Sequence, residues 1–267
     1  MNKDNQYLEI TRQSWNQRTE VHLTSAFYDH ENFLKGNSSL KNIETSLLGD
    51  IRGKSVLHLQ CHFGQDTISL SRLGAEACGV DFSDKAIDAA RQAAEDTKSG
   101  TEFICCDLYD LHKHLDKQFD IVFTSYGTIG WLPDLNKWAA IISRFLKPEG
   151  RFIFVEFHPV VWMFDDNFRH IAYRYFNSGP LEETEEGTYA EKGADLKLEY
   201  VMWNHGLGEV MNSLLQNGLE ILSLEEYDYS PYNCFNETEE YESGKFRIKH
   251  LGNNIPMLYS ISAKKKS

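Results

Sequence analysis

Between Ser55 and Phe157 five short apolar segments alternate with longer amphipathic ones, and this alternation constrains the fold more than any other feature of the chain. The apolar segments are Ser55 to Leu59, Glu76 to Val80, Thr101 to Cys105, Phe119 to Ser125 and Arg151 to Phe157. They are too short for buried helices and mostly lack the polar alternation of a half-exposed strand, so they read as strands covered on both faces. The segments between them carry helical spacing. Ala86, Ile87, Ala90, Ala93 and Ala94 share one face behind a capping Ser83, and Leu135, Trp138, Ala139, Ile142, Phe145 and Leu146 share another behind Asp134. Strand, helix, strand in strict succession predicts an α/β fold with a doubly wound, mostly parallel sheet.

The flanks are different. Residues 1–48 carry short amphipathic helical runs, with Gly36 as a break and Ser38-Ser39 as a helix start, and predict an N-terminal helical cover. After the alternating core of residues 50–157, the stretch 160–204 is rich in aromatics, holds the acidic run Glu182 to Glu186 and reads as a cap or substrate insertion. In 205–267, Gly208 to Asn217 predicts a helix, Leu219 to Glu226 and Met257 to Ala263 predict strands, and Tyr227 to Asn254 predicts a loop. A single domain over 1–267 is the simplest organisation.

Forty acidic against 27 basic residues give a net charge of −13, which argues against nucleic acid and anionic lipid as partners and for a small-molecule substrate. The five cysteines, Cys61, Cys78, Cys105, Cys106 and Cys234, have neither zinc-site nor disulfide-framework spacing and predict reduced thiols and no metal. With no membrane-length apolar run and a polar start, the expected address is cytoplasmic.

Ligands of open parallel sheets sit beyond the carboxyl ends of the strands. The loops there read Gln60-Cys61-His62-Phe63-Gly64, Asp81-Phe82-Ser83, Cys106-Asp107-Leu108 and Ser125-Tyr126-Gly127-Thr128. An acid ending the second strand can accept both hydroxyls of an adenosine ribose, and Phe82 can pack on adenine. Asp107 can accept from the adenine amino group while Leu108 covers the ring. The bland alternative for Asp81 is a helix-capping acid.

Val56-Leu-His-Leu-Gln-Cys-His-Phe-Gly64, Gly79-Val-Asp-Phe-Ser83, Cys106-Asp-Leu108, Phe119-Asp-Ile-Val122 and Leu146-Lys-Pro-Glu-Gly150 together resemble the ordered motifs of class I S-adenosylmethionine-dependent methyltransferases of small molecules. The resemblance implies a Rossmann-like, seven-stranded sheet whose last strand runs antiparallel between strands five and six, S-adenosyl-L-methionine as cofactor, and an N-terminal helix closing over it. From that helix, Trp15 and Arg18 are implied to stack on the cofactor and pair with its carboxylate. The first motif departs from the family: His58 replaces an acid, Gln60 and His62 replace two glycines, and only Gly64 is kept. The side chains of Gln60 and His62 are thereby free to bond the cofactor's amino-acid end. For a general base, if the acceptor needs one, Tyr126, Glu156 and His158 are the candidates.

Competing readings are a satisfied strand-end role for His158, ordinary packing for His62, Trp131, Trp162 and Trp203, and solvated surface for Glu182 to Glu186. At the level of function the competitors are a binding-only adenosyl-ligand regulator and a nicotinamide dehydrogenase, the latter lacking the G-x-G-x-x-G expected after strand one.

Overall fold

A computed structural model describes residues 3–266. Its centre is a seven-stranded sheet built from β1 (Ser55–Leu59), β2 (Glu76–Asp81), β3 (Glu102–Cys105), β4 (Phe119–Ser125), β5 (Leu146–Phe157), β8 (Leu219–Tyr227) and β11 (Leu258–Lys265). Their spatial order is β3-β2-β1-β4-β5-β11-β8. β1 to β5 pair in parallel, and β11 is antiparallel to both of its neighbours, β5 and β8. The order reverses beside β1, so the loops after β1 and β4 flank the crevice in which such sheets bind ligands.

The helices form where the apolar spacing demands them. α4 (Gln65–Arg72) and α5 (Asp84–Thr97) cover the early strands, and α6 (Leu135–Phe145) and α7 (Leu207–Gln216) cover the later ones. Ser83 Oγ accepts from Ala86 N and caps α5, while Asp134 accepts from Asn136 N and Lys137 N and caps α6. Trp138, Phe145, Phe152, Phe154 and Tyr259 fill the core between α6 and the sheet.

Three segments differ from expectation. The N-terminal cover consists of α1 (Lys3–His22), α2 (His30–Leu34) and α3 (Asn42–Leu48). α3 starts two residues after Leu40, because the Glu44 carboxylate reaches back to accept from Lys41 N while the Ser39 hydroxyl is spent on Ser69. β5 begins at Leu146 rather than Arg151, its first residues crossing a register irregularity beside Phe119. Tyr227 to Asn254 is not all loop: β9 (Thr238–Glu242) and β10 (Lys245–Ile248) form a hairpin in which the acidic, exposed β9 and the short, half-buried β10 lack the usual apolar run.

The acidic run Glu182 to Glu186 lies in β6 (Leu181–Glu186), which pairs antiparallel with β7 (Lys197–Met202). This hairpin packs on α1 and roofs the carboxyl edge of the sheet. Along β6 the odd positions Leu181, Glu183 and Glu185 are half-buried and the even ones exposed, so strand pairing turns two of the four acids inward. The surface reading of the run is corrected to that extent. Among the described residues, no helix is long and apolar enough to cross a membrane.

Candidate cofactor and acceptor site

Beneath the β6–β7 roof lies a cavity of about 850 Å³, walled by the loops after β1, β2, β4 and β5, by α1 and by the α1–α3 connection. Ten of the residues singled out for cofactor binding are on its wall: Trp15, Arg18, Gln60, Cys61, His62, Gly64, Asp81, Phe82, Ser125 and Tyr126. Four are not. Ser83 caps α5, Asp107 accepts from Tyr109 N to start a short 3-10 turn, Leu108 is buried in the core, and Cys106 packs against that core.

The loop after β1 keeps glycine-like backbone without most of the glycines. Gln60, His62 and Gly64 have φ of 53°, 51° and 79°. The left-handed region costs a side-chain-bearing residue on the order of 1 kcal/mol. Here it is held by two contacts: Gln60 Nε2 donates to Thr128 O (2.8 Å) and His62 N donates to Asp81 Oδ2 (2.9 Å). Gly64 cannot be replaced in the same way, because a Cβ there would fall 2.5 Å from the Phe103 ring.

Asp81 therefore ties two loops together, its Oδ1 accepting from Ser83 N (2.9 Å) as well. The carboxylate retains lone-pair capacity for a ligand. Burial raises this carboxyl to about 6, against the pull of the backbone donors from Ser83, His62 and Phe82.

Arg18 is 2% exposed and sits among the rings of Trp15, Trp131 and Tyr200, 5.6, 5.9 and 5.3 Å from their centroids. Its Nη2 lies 2.8 Å from Glu185 of β6, so the N-terminal helix and the roof meet in an ion pair over the cavity. Such a cation is held by opposite charge and by aromatic faces.

The three candidate bases have different surroundings. Glu156, 2% exposed, accepts from the backbone N–H groups of Gly127, Thr128, Ile129 and Phe157 and from the Thr128 hydroxyl, which makes it the anchor of the loop after β4. His158 is off the cavity wall; Val160 N donates to its Nδ1, its Nε2 lies 3.0 Å from Glu226, and burial lowers its pKa. Tyr126 is on the wall, and its hydroxyl donates to Glu44 Oε2 at 2.5 Å. Glu44 is 0% exposed, and burial, with Asp66 nearby, raises its carboxyl to about 7.

Sequence reasoning missed Glu44 and His22 from the N-terminal cover, Tyr189 from the connection between β6 and β7, and Tyr232 from the segment after β8. For His22 a signal existed: Trp15, Arg18 and His22 stand at i, i+3 and i+7, one face of a helix. Among the described residues, no group of three or more His, Cys, Asp or Glu side chains is placed to hold a metal ion.

Residues 57–154 match the family model described as methyltransferase domain. Over that stretch, which is less than half of the chain, the protein is similar to methyltransferase domains. The stretch contains β1 to β4 and most of β5, with the Gln60–Gly64 loop, Asp81 and Tyr126. The chain is 31% identical over 115 residues to the ubiquinone biosynthesis O-methyltransferase of Coxiella burnetii, covering 43% of this chain and 47% of that one. It is 31% identical over 126 residues to the demethylmenaquinone methyltransferase of Lactococcus lactis, covering 45% and 49%. The match thus spans about half the length of these relatives. A solved S-adenosylmethionine-dependent methyltransferase from Mesorhizobium loti superposes with a TM-score of 0.58 at 21% identity, covering 87% of this chain and all of that one, a likeness of fold. The matched residues supply the floor of the cavity; the α1 face and the β6–β7 roof come from outside them.

Proposed function

We propose that the protein transfers a methyl group from S-adenosyl-L-methionine to a small-molecule acceptor held beneath the β6–β7 roof. The observation that carries this reading is Asp81: a buried acid at the end of β2, facing the cavity and bonded to the backbone of the loop after β1. The wall also fits such a ligand because Gln60 Oε1 and His62 Nε2 are buried without a partner and await polar groups from outside the chain. Asp81 would take the ribose, Phe82 the adenine face, and Arg18 the carboxylate of the amino-acid end. The cofactor supplies a methyl carbon already activated by a sulfonium, so the protein's task is approach geometry, desolvation and charge placement.

The aromatic walls of Trp15, Trp131 and Tyr200 exclude water from that approach. Tyr126 is proposed to face the acceptor and, where the acceptor must lose a proton, to take it while passing its own to Glu44. Glu156 holds the loop after β4 and has no oxygen to spare for that duty. The similar proteins bear the names of enzymes, which favours catalysis over a binding-only role. Free cysteines and the charge of −13 support a cytoplasmic, small-molecule setting without nucleic acid.

The test is calorimetric titration with S-adenosylmethionine, S-adenosylhomocysteine and NAD in parallel. Binding of the two sulfur ligands and not of NAD is expected. Asp81→Ala should weaken that binding by about 1.5–3 kcal/mol through lost ribose hydrogen bonds, with the circular dichroism of the folded chain retained. NAD binding, or unchanged affinity in the variant, would overturn the reading.

A further inference from the structure

Past the residues that face the cofactor, the cavity wall continues as a group of aromatic rings. Phe157, Trp162 and Phe235 meet one another at 5.1 to 5.8 Å between centroids, and Tyr126 adjoins Phe157 at 6.2 Å. The roof adds its inward face. Strand pairing sets Glu183 across from Tyr200 and Leu181 across from Met202, and all four line the cavity. Directly paired residues project to the same side of a hairpin, so one half-buried acid stands among rings and apolar groups. Tyr126 apart, this part of the wall lies outside the residues matched to methyltransferase domains, so the choice of acceptor is a property of this chain's own segments.

The charges on the wall are unbalanced. Its Lys and Arg side chains are Arg18, Lys41 and Lys192. Arg18 is paired with Glu185, Lys192 Nζ donates to Phe235 O (3.0 Å) and Asn236 Oδ1 (2.9 Å), and Lys41 Nζ lies 4.9 Å from the centroid of the Tyr232 ring. Glu185 has Arg18 and Asp165 has the His170 ring, but Glu183 and Asp166, both on the wall, have no cationic partner among the described residues. Burial chiefly, and after it carboxylates that include Glu183 and Asp166, raise the hydroxyls of Tyr173 and Tyr200, so these two phenols of the wall stay neutral. Uncompensated acids among aromatic faces attract a cation.

A separate observation points to the same kind of ligand. Asn204 is 4% exposed and lies on the wall, and its Nδ2 donates to Pro159 O (3.1 Å) and to the carbonyl of Arg174 (3.0 Å), the residue after Tyr173. Its Oδ1 is left buried without a partner. A buried carbonyl oxygen in that state calls for a donor from outside the chain. An ammonium brings up to three donors, no acceptor and a positive charge, whereas a carboxylate would meet the acids and the bare oxygen with nothing to give.

We infer that the acceptor is a small organic amine, cationic at neutral pH, whose ammonium is taken by Glu183 under the roof and whose apolar body lies on the wall of Phe157, Trp162 and Phe235. The inference rests on the cofactor reading above and names the class of molecule that the same site methylates. Glu183 is then a residue that determines specificity: it selects the charge of the acceptor and leaves the cofactor untouched. The net charge of −13 gives the whole molecule a field of the sign that draws such a cation in.

The experiment titrates the protein, first saturated with S-adenosylhomocysteine, with three probes that share a body and differ in charge: tyramine, para-ethylphenol and para-hydroxyphenylacetate. The cation should bind at least about tenfold more tightly than the neutral probe, and the anion most weakly. In Glu183→Gln, which keeps the shape of the side chain and removes its charge, the advantage of tyramine over para-ethylphenol should fall by about tenfold, the value of one charged hydrogen bond. Affinity for para-ethylphenol and for S-adenosylhomocysteine should each stay within about twofold, which a general loosening of the roof would not allow. An equal loss for all three probes, an undiminished preference for the cation in the variant, or no binding of tyramine to the loaded wild-type protein would overturn the inference. Should the variant not fold, the order of the three affinities in the wild-type protein decides, and tighter binding of the anion or of the neutral probe would overturn it. Failure of S-adenosylhomocysteine to bind in the first step is a different outcome, which sinks the cofactor reading and this inference with it.

Discussion

Glu44 shows how one side chain can carry both a folding cost and a chemical opportunity. Its carboxyl is buried against Tyr126 and the backbone N–H of Lys41, and burial raises it from 4.5 to about 7. A carboxyl raised on folding makes the native chain bind more protons than the unfolded one between these values, so stability falls as pH rises through the window. Glu44→Gln removes the ionisation. Its stability relative to wild type should therefore improve between pH 5 and pH 8, by on the order of 1–3 kcal/mol, measured by urea denaturation at both values. A difference that does not change with pH would show that Glu44 is not the group responsible. Asp81 was legible in the sequence because strand-end position alone identifies it. Glu44 was not, since nothing in residues 42–48 announces which strand-end residue α3 will meet.

At the scale of elements, amphipathic spacing translated directly into packing wherever a helix lies on the sheet. α6 is the clearest case: Trp138 on its inner face is fully buried, and its ring meets Phe152 and Phe154 at 5.5 and 5.4 Å between centroids. Trp138→Ala should cost about 3–5 kcal/mol of stability, read from denaturant unfolding, because the rigid sheet beneath cannot close over the space left. A loss below about 1 kcal/mol would mean that α6 relaxes onto the sheet. Spacing failed for β6, β9 and β10. They lie in two-stranded hairpins away from the main sheet; β6 and β9 have acidic exposed faces and β10 is only four residues long with two cations, so none has the apolar run by which the central strands are recognised. Their strand character comes from pairing with a partner, and Glu185 acquires its Arg18 partner only through that pairing.

Across the whole molecule, these differences predict uneven mobility. Two-stranded hairpins are marginal by themselves, whereas β1, β2, β4, β5 and β11 are flanked by strands on both sides and buried in the core. Amide hydrogen exchange should be slowest in those five strands and fastest in β9 and β10. Adding S-adenosylhomocysteine should slow exchange in α1 and β6, which meet through Arg18 and Glu185; exchange unchanged in both would dissociate the roof from ligand binding. The alternation of apolar strands with amphipathic helices by itself determined the doubly wound sheet, and with it the strand-end positions of Gln60, Asp81 and Ser125, because periodicity dictates which faces must be buried and sheet topology dictates where ligands bind. Only the tertiary structure decided which residues close the cavity. Glu185 is brought to its wall from the roof, and Glu44 is brought behind Tyr126 from the N-terminal cover, by long-range packing whose partners no local pattern encodes.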